Sequence, residues 1–519
     1  MATEEPGGLR SGFATVTIGT LFLLIATFLL VGFTFLARVL ITRGISRDAF
    51  NAFSFDYALL QVLLAVATYG ITVAVARSLP YARTEPERRT IVRTGTMLGA
   101  GAAIASGLAL FVASSAIGRW VGSSQVGVGL EIGALALACL IVASVLASVF
   151  QGLANVTPNA LFLQIVNPGL FLVFLATVLV LPPRTLTFTS TMLSFAAACL
   201  VTLAAVAVYA LRRLPPGLLQ GPGERSVRRQ LVRLSAPLFV YGTMVSIAGL
   251  GDTLVLGAIH FAQVGTYSAS LTVARLIQVG ISAASYIFLP VASAFLARGN
   301  RRAVGLTYAT ITKWLTLLSL PLTIVFVFLP SASLNFVYGA KYANVILPLQ
   351  IVVLGAFVGT LLGPAAMAQV AVGQARLLAV NATVAGITDL ALAVALVPAY
   401  GEVGAAVAWS VANVLYFSLC LAELNAREHF HPFGRDFVVP LAATALPVGA
   451  VLALWHPRVP LLALPALAVG VAVLYVVAIL ATRSVDDGDR LLLDAIERLY
   501  GKPLPLVRRV ARALTRSSR

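Results

Sequence analysis

Arg275 lies inside the run "SASLTVARLIQVGISAASYIFLP", residues 268–290, which has the length and apolarity of a membrane-spanning helix. An arginine in hydrocarbon costs roughly 2.5 kcal/mol on insertion scales. A chain that keeps one there has a use for a permanent cation. The chemistry that fits is the holding of an anion such as a phosphate, which a guanidinium grips through two parallel N–H donors. The neighbours extend the pattern. Ser268, Thr272, Arg275, Gln278, Ser282 and Ser285 are spaced by threes and fours, one stripe of a helix.

Other polar stripes resemble it. Tyr57, Gln61, Thr68 and Thr72 recur at fours and sevens, Thr20, Thr27 and Thr34 recur at sevens and lead to Arg38, and Thr312, Thr316, Ser319 and Thr323 run beside Lys313. Taken singly, each Ser or Thr reads as a helix-packing position, where a small polar side chain lets helices approach. Taken together and carrying cations, the stripes predict a hydrated cleft. In it Arg275, Lys313 and Arg38 meet an anion, while Gln61, Gln278, Thr272, Ser282, Thr27 and Thr34 meet hydroxyl groups. Arg275 has a second reading, an ion pair with Asp252, and the two readings can coexist. Lys313, roughly 15 Å along its helix from the nearer end, is too deep to reach the headgroups without partial snorkelling. Asp252, Asp389 and Asp56 are candidate proton or sodium sites. For Asp56 the competing reading is a wet helix end, and for Asp389 an interhelical hydrogen bond.

These residues must be positioned by a membrane domain. The 519-residue chain is 59% hydrophobic and 11% charged, with mean hydropathy +0.96, against about 25% charged residues in soluble domains. Spans must then be helices or a closed barrel, and the long apolar runs select helices. Fourteen such runs lie near 14–37, 53–78, 94–115, 129–151, 158–181, 188–211, 234–259, 266–292, 304–329, 345–368, 377–398, 403–424, 437–455 and 460–482. The net charge of +17 reflects loop arginines rather than a nucleic-acid surface. Alternate loops hold 27 and 7 of the 36 Lys and Arg residues, with Arg275 and Lys313 inside helices. The positive-inside rule therefore places both termini in the cytoplasm of a multi-pass cell-membrane protein, its basic face against anionic lipid. The final run "PLPLVRRVARALTRSSR" reads as a basic amphipathic helix on that lipid or as a disordered tail. Cys139, Cys199 and Cys420 lie in apolar runs, and His260, His429, His431 and His456 are scattered, so neither a metal site nor a disulfide framework is expected.

The chain also repeats itself. "FNAFSFDYALLQVLLAVATYG" aligns with "VGTYSASLTVARLIQVGISAA", which sets Gln61 on Arg275 and Thr68 on Ser282. "GLANVTPNALFLQIVNPGLFL" resembles "GQARLLAVNATVAGITDLALA". Two parallel six-helix copies follow, 14–211 and 234–424, around a central cavity. A cytoplasmic N-terminus at 1–13, a basic linker at 212–233, two extra C-terminal helices over 437–482 and a basic tail at 483–519 complete the all-α polytopic plan.

The stretch "SAPLFVYGTMVSIAGLGDTLVLGAIHFAQVGTYSASLTVARLIQVGISAASYIFLPVAS" resembles the seventh-to-eighth-helix hairpin of polysaccharide and O-antigen-type flippases. These belong to the multidrug/oligosaccharidyl-lipid/polysaccharide exporter superfamily. The matching elements are Asp252, then Gly265, Tyr267 and Ser268, then Leu289, Pro290 and Ser293. "FVYGAKYANVILPLQIVVLGAF" and "ALVPAYGEVGAAVAWSVANVLYF", with Pro398, Tyr400, Gly401, Gly404, Ala405 and Ala406, resemble later parts of the family. "FLARVLITRGISRDAFNAF" lacks the usual Gly-Pro and Tyr-Gly elements. The resemblance spans residues 14 to about 482. It implies two six-helix bundles, and transport of a polyprenyl-pyrophosphate-linked oligosaccharide by alternating access. No cofactor beyond a coupling proton or sodium ion is implied. Glycan-assembly partners are not specified. Three other readings remain. A multidrug–cation antiporter of the same superfamily would want an acidic or aromatic cavity. A membrane glycosyltransferase or polymerase would want acidic sites on long loops. A scaffold would not want buried charge.

Overall fold

A computed structural model describes residues 6–181, 185–215, 217–218, 224–455, 460–485 and 488–491, the side chains of 6–21, 237, 241, 375, 455 and 461 excepted. The candidate amphipathic tail at 503–519, together with His456, Arg458 and the side chain of Thr20, therefore lies outside what is described. The described residues form no strand, and fourteen of their helices are long and apolar enough to cross a membrane. In order they are α1 (Pro6–Gly44), α2 (Arg47–Ser78), α3 (Glu85–Val121), α4 (Ser124–Gly152), α5 (Asn167–Val180), α6 (Phe188–Arg213), α7 (Arg225–Ile259), α8 (Val264–Leu296), α9 (Arg301–Phe328), the short α10 (Pro330–Tyr338), α11 (Ile346–Leu362) continued by α12 (Pro364–Ala371), α13 (Ala375–Tyr400), α14 (Glu402–Glu428), α15 (Arg435–Trp455) and α16 (Leu464–Ala481). The expected all-α, fourteen-span protein is what the chain forms.

Local chemistry sets several boundaries. Ser46 accepts from the Ala49 amide at the start of α2, and Thr84 with Glu87 makes a reciprocal capping box on α3. Before α5 the backbone forms a π-helical stretch, Asn159–Val166, whose continuation has the Asn167 amide bonding the Phe162 carbonyl five residues back. Pro168 explains the widening. It has no N–H, and its ring would strike the carbonyl four residues earlier in a regular α-helix. Gly401, with φ +54°, makes the turn between α13 and α14, and a Cβ on Gly404 would lie 2.6 Å from the Leu396 carbonyl oxygen. Gly401 is thus required by its left-handed backbone and Gly404 by close backbone approach.

The chain divides into two compact units. One comprises residues 26–269 and 382–409. In it α2 packs on α7 so closely that a Cβ on Gly70 would stand 2.6 Å from the Ser235 carbonyl oxygen. Val75, Leu79, Val92, Val149 and Leu231 fill an apolar cluster there. The other comprises residues 1–25, 270–381 and 410–519. Its main core gathers Phe288, Tyr308, Leu315, Met367, Cys420 and Leu424, and a second cluster holds α16 on α9 through Leu320, Ile324, Val471 and Tyr475.

Candidate functional site

A cavity with several polar groups on its wall lies among α1, α2, α4, α5 and α6, with a volume of about 170 Å³. Thr34 and Arg38 reach it from α1, Tyr57 and Gln61 from α2, Ser144 from α4, and Asn167 from α5. The spacings 34/38 and 57/61 are single helical turns, which is why each helix presents two polar groups to one place. Arg38 is 8% exposed. Its Nη1 donates to the Ser268 hydroxyl at 2.6 Å, and the guanidinium lies over the Tyr57 ring, 5.1 Å from its centroid. The Tyr57 hydroxyl accepts from Gln61 Nε2 at 3.0 Å. Phe53, Phe171 and Phe195 make an aromatic wall around the ring. Arg38 had read as a residue just past the end of its span. Instead α1 runs on to Gly44, and the guanidinium is carried into the protein.

The stripe on α8 is split. Ser268 is buried against Arg38, while Arg275 and Ser282 are exposed and Thr272 and Gln278 half-buried, with Gln278 donating to Asn413 Oδ1 at 3.2 Å. Val273, Ala274 and Ile277 on the same turns are buried. A face that buries its apolar residues and exposes Arg275 and Ser282 suits water rather than lipid.

Three expectations need correction. Lys313 does not stand in a cleft. It is 2% exposed, and its Nζ donates to Asp489 Oδ2 at 2.6 Å and to the Ser484 carbonyl at 2.8 Å. Trp314 Nε1 holds the other Asp489 oxygen at 2.7 Å. Its charge is committed to the segment after α16. The Thr312, Thr316, Ser319 and Thr323 stripe is also buried, each hydroxyl donating to the carbonyl four residues back, so it is a packing face. Asp56 is not a wet helix end. It lies nine residues inside α2, is fully buried, sits where a Cβ on Gly129 would fall, and neither oxygen has a hydrogen-bond partner among the described residues. Neither Asp389 oxygen makes a close hydrogen bond among the described residues, but the backbone of Asp252 on α7 acts on it as a weaker donor, in keeping with the interhelical reading. Asp389 lies close enough to Asp252 for their charges to interact. Asp252 is itself buried, accepting from the Tyr267 hydroxyl and, at 2.6 Å, from the Thr253 amide. Thr27 is buried on α1. Among the described residues no group of three or more His, Cys, Asp or Glu could hold a metal.

One constellation escaped the sequence. In α5 and α6, Asn167 Nδ2 donates to Cys199 Sγ (3.6 Å) and Thr202 Oγ1 (3.3 Å). In α13 and α14, Asn381 Nδ2 donates to Cys420 Sγ (3.7 Å) and Glu423 Oε2 (2.8 Å). Asn167 and Asn381 are 214 residues apart, the offset that relates Gln61 to Arg275. Cys199 and Cys420, and likewise Thr202 and Glu423, are 221 apart, the offset that lays residues 152–172 on 373–393.

Residues 16–296, more than half of the chain, match the family described as polysaccharide biosynthesis protein. The chain belongs to that family. Among solved structures, this family member resembles the lipid II flippase MurJ in an inward closed conformation, with TM-score 0.70, 14% identity, and 88% of this chain and 98% of the other covered. It also resembles an inward-facing multidrug resistance MATE family transporter of the MOP superfamily (TM-score 0.65, 12% identity, 79% and 98% covered) and a MOP superfamily transporter from Pyrococcus furiosus (0.57, 13%, 80% and 96%). At these identities the likeness establishes the fold, that of the exporter superfamily to which the hairpin motifs pointed. Among curated protein sequences none matches this chain.

Proposed function

We propose that this protein is a flippase that carries a polyprenyl-(pyro)phosphate-linked oligosaccharide from the cytoplasmic to the outer leaflet of the cell membrane by alternating access. Transport rather than catalysis is its activity. The observation that carries the reading is Arg38, a guanidinium brought into the span at the wall of a cavity whose other polar groups are uncharged amides and hydroxyls. About 170 Å³ corresponds to the liquid volume of roughly six water molecules. That is room for a phosphate, with the sugars outside. Membership in a polysaccharide biosynthesis family and the flippase-like fold support the same cargo. The exposed Arg275, with Ser282 on the same stripe, is the second cationic station. The adjacent buried Asp252 and Asp389, and the isolated Asp56, are the carboxylates suited to a coupling proton or sodium ion.

Arg275→Ala is expected to abolish lipid-linked glycan transport while the protein still inserts and folds. Arg275→Lys, which keeps the charge but loses the fork, should retain part of it. The check is surface glycan in a strain dependent on this protein, at matched expression. Normal glycan with Arg275→Ala would remove the phosphate role. The proposed orientation has its own test. Alkaline phosphatase, active only outside the cytoplasm, is expected to be inactive when fused after residue 491 and active when inserted at Ser331. The opposite pattern would invert the topology.

A further inference from the structure

We infer that Glu423, paired with Gln369, is a proton-binding site on α14, a role that rests on the transport reading only for its use in coupling. Glu423 lies five residues before the end of α14 and is half-buried. Gln369 Nε2 from α12 and Asn381 Nδ2 from α13 both donate to its Oε2, each at 2.8 Å. The equivalent arrangement on α5 and α6 puts a neutral Thr202 hydroxyl where Glu423 stands, three residues after the cysteine that shares the asparagine. A hydroxyl is thus enough to staple such a helix pair. A carboxylate in a span carries a desolvation cost that stapling does not explain.

A second observation points to the ligand. Gln369 is fully buried, and its Oε1 has no hydrogen-bond partner among the described residues. The reverse amide orientation would set that oxygen against the carboxylate, two acceptors face to face. A primary amide and a carboxylic acid, however, close a ring of two hydrogen bonds. The amide N–H bonds one acid oxygen, and the acid O–H bonds the amide oxygen. The first of these is already formed. A proton taken from water onto Glu423 Oε1 supplies the second and satisfies Gln369 Oε1. When the proton leaves, that oxygen is again unpaired, and the two amide donors hold the carboxylate. Around the site, α12 carries no titratable side chain. Helix α13 brings Arg376 and, eight residues beyond Asn381, Asp389. Helix α9 brings Tyr308, Lys313, held by Asp489, and Arg301, paired with Glu428. Helix α8 brings Tyr286, and α14 adds Tyr416, Cys420 and Arg427.

The test uses the full-length protein in proteoliposomes. Infrared difference spectra across pH read the carboxylic-acid carbonyl band, and a fluorescent polyprenyl-pyrophosphate oligosaccharide reads transport under an imposed pH gradient. A band that titrates in the wild type is expected to vanish in E423Q. E423Q should fold, because an amide there donates to Gln369 Oε1 as the acid does. In Q369L, which removes the amide that closes the ring with the acid, the frequency of the band should shift. Wild-type and E423Q spectra that coincide, or a band that follows sodium rather than pH, would overturn the site. Should E423Q fail to express, an unshifted band in Q369L overturns it equally. If the Glu423 band titrates and no lipid-linked sugar moves under any condition, the flippase reading fails and the proton site stands. If transport is robust without that band, the reverse holds.

Discussion

Lys313→Met is expected to destabilise the protein by about 3–5 kcal/mol, the range for breaking a buried ion pair from one side. The lysine and Asp489 are 2% and 5% exposed, so the remaining carboxylate cannot recover its charge partner from water. Trp314 Nε1 would remain as a side-chain donor to it. The double variant Lys313→Met with Asp489→Leu should regain most of the loss, because replacing both members with apolar groups removes the stranded charge. Thermal unfolding in detergent, compared across the two singles and the double, gives the coupling directly. The effect should also change little with ionic strength, since a buried pair is poorly screened. A single-variant loss below about 1 kcal/mol, the range of a surface pair, would mean that the segment around Asp489 does not hold α9 as described.

Arg38→Gln is expected to lower transport of lipid-linked glycan by about a hundredfold or more, with stability nearly unchanged. The size follows from two charge-assisted hydrogen bonds to a phosphate, at roughly 1.5–3 kcal/mol each, lost together. Among the partners Arg38 leaves are a hydroxyl, Ser268, and the face of Tyr57, neither of them a charge stranded by the change. Arg38→Lys should fall between, and Ser268→Ala should do little, as it removes only the contact of the empty site. Transport is read in vesicles at equal protein content. Wild-type rates in Arg38→Gln would falsify the assignment of the cavity to the phosphate.

The spans were legible because hydropathy is a property of each segment alone, and the α8 stripe was legible because its threes and fours hold whatever packs nearby. What failed depended on neighbours. Lys313 was correctly placed deep in its helix, but depth says nothing of a carboxylate 176 residues on, beyond the last span. The hydroxyl stripe on α9 has the spacing of a cavity wall and serves as packing, because Ser and Thr can bond their own helix and need no partner. Asp56 looked terminal only because its helix was started at Phe53 instead of Arg47. Glu423 was passed over at the frayed end of an apolar run. The signal that would have found it was the recurrence of an asparagine and a cysteine in both halves, with Thr202 in one and Glu423 in the other.

All three cysteines, Cys139, Cys199 and Cys420, are free thiols buried in α4, α6 and α14. A water-soluble maleimide needs an accessible thiolate, so the native chain offers it almost nothing. Spin labels, fluorophores or cross-linkers attached through single introduced cysteines should therefore report against a dark background. The three native residues need not be removed first. Helix α8 can be mapped position by position, with the Asn167–Cys199 and Asn381–Cys420 contacts left intact.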